Sequence, residues 1–311
     1  MGNATNIFFM GKGGVGKSTA AALQSLFLAH KGYRVLIVSL DPAHNQSDIF
    51  EKQLSDRPVE LVPGLTAIEI DQDYWIKRYL KDVQKQINRT YSYLTAFNLD
   101  TYFTVVKHSP GLEEYALILV FKDILERFSH LDFLAFDMPP TALALKFFTL
   151  PTLSLVWIEQ LLALRQEIIK KRDLITKVKL LKKEVERDKI LNKITEMKED
   201  YQRLKDIFED CDTTHINIVL NPDRLSLAES RRIFETLRDI HIPCSRLINN
   251  KMLPDSSCED ISAAFPDTPL CECPYSEVPL IGLPSLERFL GKNDALVEEQ
   301  VEHLIQARQA S

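Results

Sequence analysis

The stretch Gly11-Lys12-Gly13-Gly14-Val15-Gly16-Lys17-Ser18-Thr19 fits the pattern G-x-x-x-x-G-K-[ST]. It follows an apolar run at residues 7–10 and precedes helix-forming residues at 20–23. Glycines let several backbone N–H groups converge on phosphate oxygens, and a helix N-terminus adds favourable partial positive charge. We therefore predict a phosphate-binding loop, in which Lys17 reaches the β- and γ-phosphates and the Ser18 hydroxyl ligates Mg²⁺.

The same residues also match the dinucleotide pattern G-x-G-x-x-G through Gly11, Gly13 and Gly16. A dinucleotide site has no need of Lys17 and Ser18, however. No acidic partner for a ribose stands at the expected distance, since Asp41 lies too far along the chain. The pattern therefore favours a triphosphate site.

Outward from the loop, apolar strand-like runs alternate with helical patterns, which favours a parallel sheet with helices on both faces. We expect an α/β fold of the P-loop NTPase class, built as one domain over residues 1–311. Helices are predicted near 18–31, 225–240 and 294–309, and Pro and Gly residues, Pro151 included, are expected between elements. The predicted strands are 6–10, 34–40, 65–70, 132–137, 215–220, 244–249 and 268–273.

Two stretches, at about 72–130 and 150–210, do not fit a simple alternation of strands and helices. Both have helical patterns. We expect them to form an inserted helical subdomain. Between residues 165 and 206 there are 14 Lys and Arg against 9 Asp and Glu, a local charge of +5 in a chain of net −6. This favours a solvated helical hairpin with one apolar seam, and the alternative is a surface that contacts a client or an acidic partner.

Composition excludes several other classes. With 38 basic and 44 acidic residues, the net charge of −6 argues against a nucleic-acid binder driven by charge. Five cysteines are few for 311 residues and indicate a reducing compartment. No basic leader precedes the first strand, and Lys146, Pro151 and Glu159 interrupt the apolar stretch 141–164. We expect a cytoplasmic protein that does not itself span a membrane.

Two aspartates follow predicted strands. Asp41 follows strand 34–40, and Asp137 ends strand 132–137. Because ligands of open α/β sheets bind at the carboxyl ends of the strands, both carboxylates are expected beside the phosphate loop. Asp41 is placed to orient an attacking water or a Mg²⁺-bound water, and Asp137 to hold Mg²⁺ through water.

The second lysine of the loop, Lys12, gives the pattern K-G-G-x-G-K-[ST], which resembles the deviant-Walker ATPases. Other blocks resemble one branch, the arsenite-pump and tail-anchored-protein-targeting ATPases. They are DPAHNQSD at 41–48, SPGLEE at 109–114, DMPPTALALKFFTLP at 137–151, PDRLSLAESR at 222–231 and NKMLP at 250–254. The order of these blocks covers nearly the whole chain.

The resemblance implies binding and hydrolysis of Mg²⁺-ATP in a homodimer, with Lys12 reaching the partner's nucleotide. It also implies that Asn250 hydrogen-bonds the adenine edge and that a loop from Pro274 to Val278 closes over the base. An amide offers both a donor and an acceptor, which suits that role. Asn221, at the end of the neighbouring strand, is the competing candidate.

Some residues depart from the resemblance. Ala142-Leu143 replaces a Gly-His pair in the second switch, and Asn45-Gln46 replaces Ser-Leu in the first. No cysteine lies between residues 72 and 210, where that family's metalloid site lies, and the family's C-x-x-C is missing. Cys271 and Cys273 form C-x-C, a poor half-site for a tetrahedral metal, so the thiols are interpreted as buried or incidental.

Three functions stay open. The first is a chaperone or targeting ATPase whose helices hold an apolar client. The second is the energising subunit of an arsenite efflux pump, against which the missing helical cysteines count. The third is a slow nucleotide switch that times an interaction.

Overall fold

The computed structural model describes residues 4–43, 45–90, 111–178, 189–253 and 258–310. Within these ranges an eight-stranded sheet has the order β3-β4-β2-β5-β1-β6-β7-β8. β3 pairs antiparallel with β4, and the other neighbouring strands are parallel. The strands are β1 (Thr5–Met10), β2 (Val35–Ser39), β3 (Val59–Val62), β4 (Leu65–Glu69), β5 (Phe133–Asp137), β6 (Thr214–Leu220), β7 (Arg246–Met252) and β8 (Leu270–Pro274).

Helices cover both faces of this sheet, as expected for a parallel sheet. They are α1 (Lys17–His30), α2 (Asn45–Phe50), α3 (Gln72–Thr90), α4 (Leu112–Phe128), α5 (Thr141–Val178), α6 (Lys189–Glu209), α7 (Arg224–Asp239), α8 (Glu259–Ala264) and α9 (Leu283–Ala310). The predicted α/β class with a mostly parallel sheet is therefore confirmed.

The core has two layers, one on each face of the sheet, and β1 shows why. Its side chains alternate, so that Phe8 and Met10 join one layer and Ile7 and Phe9 the other. The layer that contains Phe8 is rich in phenylalanines from α4, α5 and α6. The opposite layer is formed largely by α1 and α9. Burial on both sides explains why all six residues of β1 are buried.

The first predicted insertion, at about 72–130, contains α3 and α4. The second, at about 150–210, contains most of α5 and all of α6. One side of α4 packs in the core, since Leu117 and Phe121 are fully buried. The C-terminal end of α6 also reaches the core through Leu204 and Phe208. Whether these helices act as a separate subdomain stays a prediction. Residues 91–110 and 179–188, which belong to the same stretches, lie outside the described residues.

Some boundaries differ from those predicted. Pro151 lies inside α5 and does not separate two elements. Its ring removes one helical hydrogen bond, and burial of Phe147 and Phe148 before it and of Leu155 after it offsets that cost. The edge strand β3 was not predicted. The last helix begins at Leu283, earlier than predicted, and contains a kink at Asn293.

By length and composition, one helix in the described part of the chain could cross a membrane. It covers Thr141–Lys171 of α5, with a mean hydropathy of 1.5 in its most apolar window, of which a third is buried. Core helices of other proteins pass the same test, and the beginning of α5 packs in the core through Ala144 and Phe147.

Candidate functional site

The phosphate loop joins the end of β1 to the start of α1. Gly11 has φ +147°, and a Cβ there would stand 2.2 Å from the carbonyl oxygen of Val219 on the neighbouring strand. Gly16 has φ +97° and precedes the first residue of α1. Only glycine adopts these positions without strain. The loop therefore turns tightly and directs the first N–H groups of α1 outward, which makes an anion-binding terminus.

Lys17 and Ser18 are the first residues of α1. They are largely buried, with exposed fractions of 5% and 9%. The position of Lys12 is different, since its side chain is partly exposed and is not among the residues that line the adjoining cleft. The structure thus places the two lysines of the loop in different surroundings.

Asp41 and Asp137 lie at the carboxyl ends of adjacent strands, β2 and β5. The register places Asp137 beside Phe9 of β1 and Ser39 of β2. The order β2-β5-β1 therefore brings both carboxylates next to the phosphate loop, as predicted. Both are buried, and the Asp41 Oδ1 accepts a 3.0 Å hydrogen bond from the N–H of Ala43.

The Asp137 carboxyl group is fully buried, and burial raises its pKa to about 6. Hydrogen bonds from Ser18 and Gln46 and the charge of Lys17 oppose that rise, whereas the charge of Asp41 adds to it. Its Oδ1 atom has no hydrogen-bond partner among the residues described. A bound cation would relieve both the repulsion between the carboxylates and the unpaired oxygen.

The donor set at this point suits Mg²⁺, which prefers oxygen ligands and keeps several waters. Ser18 offers a hydroxyl group in hydrogen-bonding contact with Asp137, and Asp41 lies close enough to affect the pKa of Asp137. Ser18, Asp41 and Asp137 could therefore hold a hydrated magnesium ion beside the phosphate loop.

A cleft of about 700 Å³ opens beside the loop. This volume is in the range of small-molecule sites. The cleft lies between the phosphate loop, the segment after β2, the end of β7 and the segment after β8. Of the predicted site residues, those lining it are Gly13, Gly14, Gly16, Lys17, Ser18, Thr19, Asp41, Asn250 and Pro274. Gly11, Lys12, Val15 and Asp137 are not among its lining residues.

The lining of the cleft distinguishes between the two asparagines that are candidates for contact with the base. Asn250 lines the cleft, whereas Asn221 is not among its lining residues. The Asn250 amide nitrogen donates a 2.7 Å hydrogen bond to the carbonyl oxygen of Val15. Asn250 therefore holds the phosphate loop from the end of β7, and contact with an adenine base stays a prediction.

Two residues with contacts at the site were not predicted. Gln46 is fully buried and donates hydrogen bonds to Ser18 and Asp137. Lys251 has a positive φ of 58°, and its Nζ donates a 2.8 Å hydrogen bond to the carbonyl oxygen of Gly14. The sequence marks Gln46 only as a polar residue where the resemblance has an apolar one. Nothing local in the sequence reveals the contact of Lys251.

The second switch begins α5. Leu143, which stands where the resemblance has histidine, packs against the core, whereas Ala142 is exposed. The main-chain N–H of Leu143 donates a hydrogen bond to the carbonyl oxygen of Pro140, which lines the cleft. Leu143 thus ties the start of the helix to the core by apolar contact.

Cys273 lines the cleft and is buried, which raises the pKa of its thiol to about 12. Burial likewise raises the pKa of Cys244 to about 12. Such thiols are poor nucleophiles at neutral pH. Across the residues that the structure describes, no group of three or more His, Cys, Asp or Glu side chains is arranged to hold a metal ion.

A parallel sheet whose central strand ends in a glycine-rich phosphate loop, with two aspartates at neighbouring strand ends, defines a P-loop nucleotide hydrolase. Within that class, the profile described as "Anion-transporting ATPase" matches residues 4–291, and the chain belongs to this family. It is therefore an ATPase, with a nucleotide as its substrate.

Relatives from bacteria and eukaryotes resemble the chain over most of its length. "Putative arsenical pump-driving ATPase 2" of Aquifex aeolicus is 28% identical, over 91% of this chain and 96% of that protein. "ATPase GET3C" of Arabidopsis thaliana is 31% identical, over 80% of this chain and 67% of that protein. "ATPase ASNA1 homolog" of Entamoeba histolytica is 27% identical, over 82% of this chain and 78% of that protein. The resemblance inferred from the sequence blocks is thereby confirmed.

Proposed function

We propose that the chain is a homodimeric, cytoplasmic ATPase that uses Mg²⁺-ATP to hold and release an apolar helical segment of a client protein, such as a terminal membrane anchor. The observation that carries the client half of this proposal is an exposed apolar stripe on α5. Its residues recur every three or four positions along one side of the helix: Leu153, Val156, Trp157, Leu161, Leu164 and Ile168.

These six side chains are 46–72% exposed, and Trp157 is the most exposed of them. An exposed apolar stripe on a surface helix is typical of an interaction site. Apolar side chains at this spacing fit a second amphipathic or apolar helix laid along the first. On α6, Ile190 and Met197 are also large, apolar and exposed. The partner proposed for this face is therefore an apolar helix.

The site residues take the following roles in this proposal. Lys17 and the N–H groups of the phosphate loop bind the β- and γ-phosphates, and Asn250 and Pro274 face the base. Ser18, Asp41 and Asp137 hold Mg²⁺, which when bound would neutralise charge that develops on the phosphates. Asp41 orients the attacking water. Lys12 supplies its charge to the nucleotide of the second protomer.

The client half is tested with a fluorescently labelled synthetic apolar helix and the purified chain. We expect binding that depends on Mg²⁺-ATP and that is lost in the double variant Val156→Asp/Leu164→Asp. The matched control is Gln166→Asp/Lys170→Gln, which changes the net charge by the same amount at exposed polar positions on the other side of the helix. Equal binding by the parent and the first variant would show that the stripe is not the client site.

Tryptophan fluorescence provides an independent readout. The chain has two tryptophans, of which Trp75 is buried and Trp157 is 72% exposed. Burial of the stripe under a client helix therefore shifts the emission of Trp157 to shorter wavelength. A Trp157→Phe variant keeps the apolar surface and removes the signal, which identifies its source.

Two arms of the same assay address the other functions. Arsenite that stimulates hydrolysis while the apolar helix does not would favour a pump-driving role. That role finds support in relatives that are named as arsenical pump-driving ATPases. Single-turnover hydrolysis, with Asp41→Asn as the control, separates a working ATPase from a slow nucleotide switch.

A further inference from the structure

Gln46 joins three elements of the nucleotide site. It is the second residue of α2, and its side chain is fully buried. Its amide nitrogen donates one hydrogen bond of 2.9 Å to the main-chain carbonyl oxygen of Ser18. A second hydrogen bond of 3.0 Å goes to Oδ2 of Asp137. Both N–H groups of the amide are thus used, one on α1 and one at the end of β5.

Gln46 and Asp137 each have one further polar side-chain atom, an oxygen, and neither oxygen accepts a hydrogen bond from the residues described. The Gln46 Oε1 and the Asp137 Oδ1 are buried acceptors with no hydrogen-bond partner in the ranges that the structure describes. A buried acceptor without a donor costs free energy, so a pair of them indicates that donors arrive from outside the protein chain. Water molecules of a hydrated cation are such donors, and they suit a fully buried carboxylate beside a serine hydroxyl.

We propose that Gln46 is a positioning residue of the magnesium site. Its amide nitrogen fixes the Asp137 carboxylate against the first turn of α1. Its carbonyl oxygen accepts a hydrogen bond from a water of the hydrated ion. The proposal rests on the Mg²⁺-ATP site proposed above and assigns to it a residue from α2. Since α2 follows Asp41 directly, this contact also links the ion to the segment that carries Asp41.

The apolar variant Gln46→Leu tests the proposal. It keeps a similar volume and removes both hydrogen bonds. Mg²⁺ is titrated into the chain in the presence of a slowly hydrolysed ATP analogue, and the heat of binding gives the affinity for the ion. We expect an affinity for Mg²⁺ about tenfold weaker, as is usual when a residue that orients a metal ligand is lost. Affinity for the analogue in EDTA should stay unchanged.

Gln300→Leu is the matched control. Gln300 is also a buried amide, 3% exposed, which accepts a hydrogen bond from Gln24 and donates one to the carbonyl oxygen of Glu272. It lies on α9 and does not line the nucleotide cleft. Its replacement should lower the melting temperature much as Gln46→Leu does, while the affinity for Mg²⁺ stays within about twofold of the parent. Should Gln46→Leu fail to fold, Gln46→Met removes the same hydrogen bonds in a more flexible side chain.

The outcomes are distinct. An unchanged affinity for Mg²⁺ in both Gln46 variants overturns the proposal. So does an equal loss of affinity in Gln300→Leu, because that result would show general destabilisation. No magnesium-dependent heat in the parent chain would overturn the proposed Mg²⁺-ATP site itself, and the role of Gln46 with it.

Discussion

At the scale of single residues, the phosphate loop depends on Gly11, which no other residue can replace without strain. Gly11 combines φ +147° with a carbonyl oxygen 2.2 Å from where its Cβ would stand. That oxygen belongs to Val219 in the middle of the sheet, so it has no room to move. Gly13, two residues further on, has open space around it.

We therefore predict that Gly11→Ala abolishes nucleotide binding and lowers the free energy of unfolding by at least about 1–3 kcal/mol, the usual cost of a strained backbone. Gly13→Ala should leave the free energy of unfolding within about 0.5 kcal/mol of the parent, as is typical of exposed positions. Urea unfolding and binding of a fluorescent ATP analogue measure both. Similar behaviour of the two variants would contradict this assignment of strain.

Some residues of the candidate site can be predicted from the sequence and others cannot. The phosphate loop and the two aspartates are predictable because their roles are set locally, by glycine positions and by strand ends. Gln46 is not predictable in this way, since its partners lie 28 and 91 residues away in the chain. Only the sheet order β2-β5-β1 brings them together, and no local pattern encodes that order.

At the scale of elements, the helices of the Phe8 layer are joined to the sheet by aromatic packing. The ring centroid of Phe208 on α6 lies 5.0–6.2 Å from the ring centroids of four other phenylalanines, Phe8, Phe121, Phe147 and Phe148. These rings come from β1, α4 and α5. The end of α6 is thus held to three other elements by one side chain. The same packing explains why Pro151 is tolerated inside α5, which local sequence rules do not predict.

We predict that Phe208→Ala lowers the free energy of unfolding by about 3–5 kcal/mol, the usual cost of deleting a buried phenylalanine ring. Leu225→Ala, at a position 69% exposed on α7, should change the free energy of unfolding by less than about 0.5 kcal/mol. Urea unfolding followed by circular dichroism compares the two variants. A loss below 1 kcal/mol for Phe208→Ala would mean that α6 is attached to the sheet by other contacts.

At the scale of the whole molecule, α9 packs on the sheet over a pair of histidines, of which His215 is buried and His303 is half-buried. The rings of His303 on α9 and His215 on β6 are 5.1 Å apart, and both ring nitrogens of His303 lack a partner within the described ranges. Burial, together with the charge of Arg246 and the neighbouring His215, lowers the pKa of His303 to about 3. Burial also lowers the pKa of His215, despite the nearby Asp210 and Asp212.

The sign of the pH dependence follows from these shifts. Below its ordinary value of 6.5, His303 takes up a proton in the unfolded chain but not in the folded one until the pH approaches 3. The free energy of unfolding should therefore fall as the pH drops from 6.5 towards 3, by up to about 1.4 kcal/mol per pH unit for this group. Urea unfolding between pH 4 and pH 8 measures the slope. His303→Leu should flatten it, whereas His130→Leu on the surface should not.

The final prediction concerns the proposed dimer. Lys17→Ala should abolish ATP binding, whereas Lys12→Ala should bind ATP and fail to hydrolyse it. If Lys12 acts on the nucleotide of the partner, a mixture of these two inactive variants regains activity. In a mixed dimer the Lys12→Ala protomer binds ATP and receives Lys12 from its Lys17→Ala partner. Half of the dimers in an equal mixture are mixed and each has one working site, so the activity should reach about a quarter of the parent value.

A mixture as inactive as its components would contradict the action of Lys12 on the partner's nucleotide. Either Lys12 then acts within its own protomer of a dimer, or the chain hydrolyses ATP as a monomer. Light scattering with the ATP analogue distinguishes the dimer from the monomer.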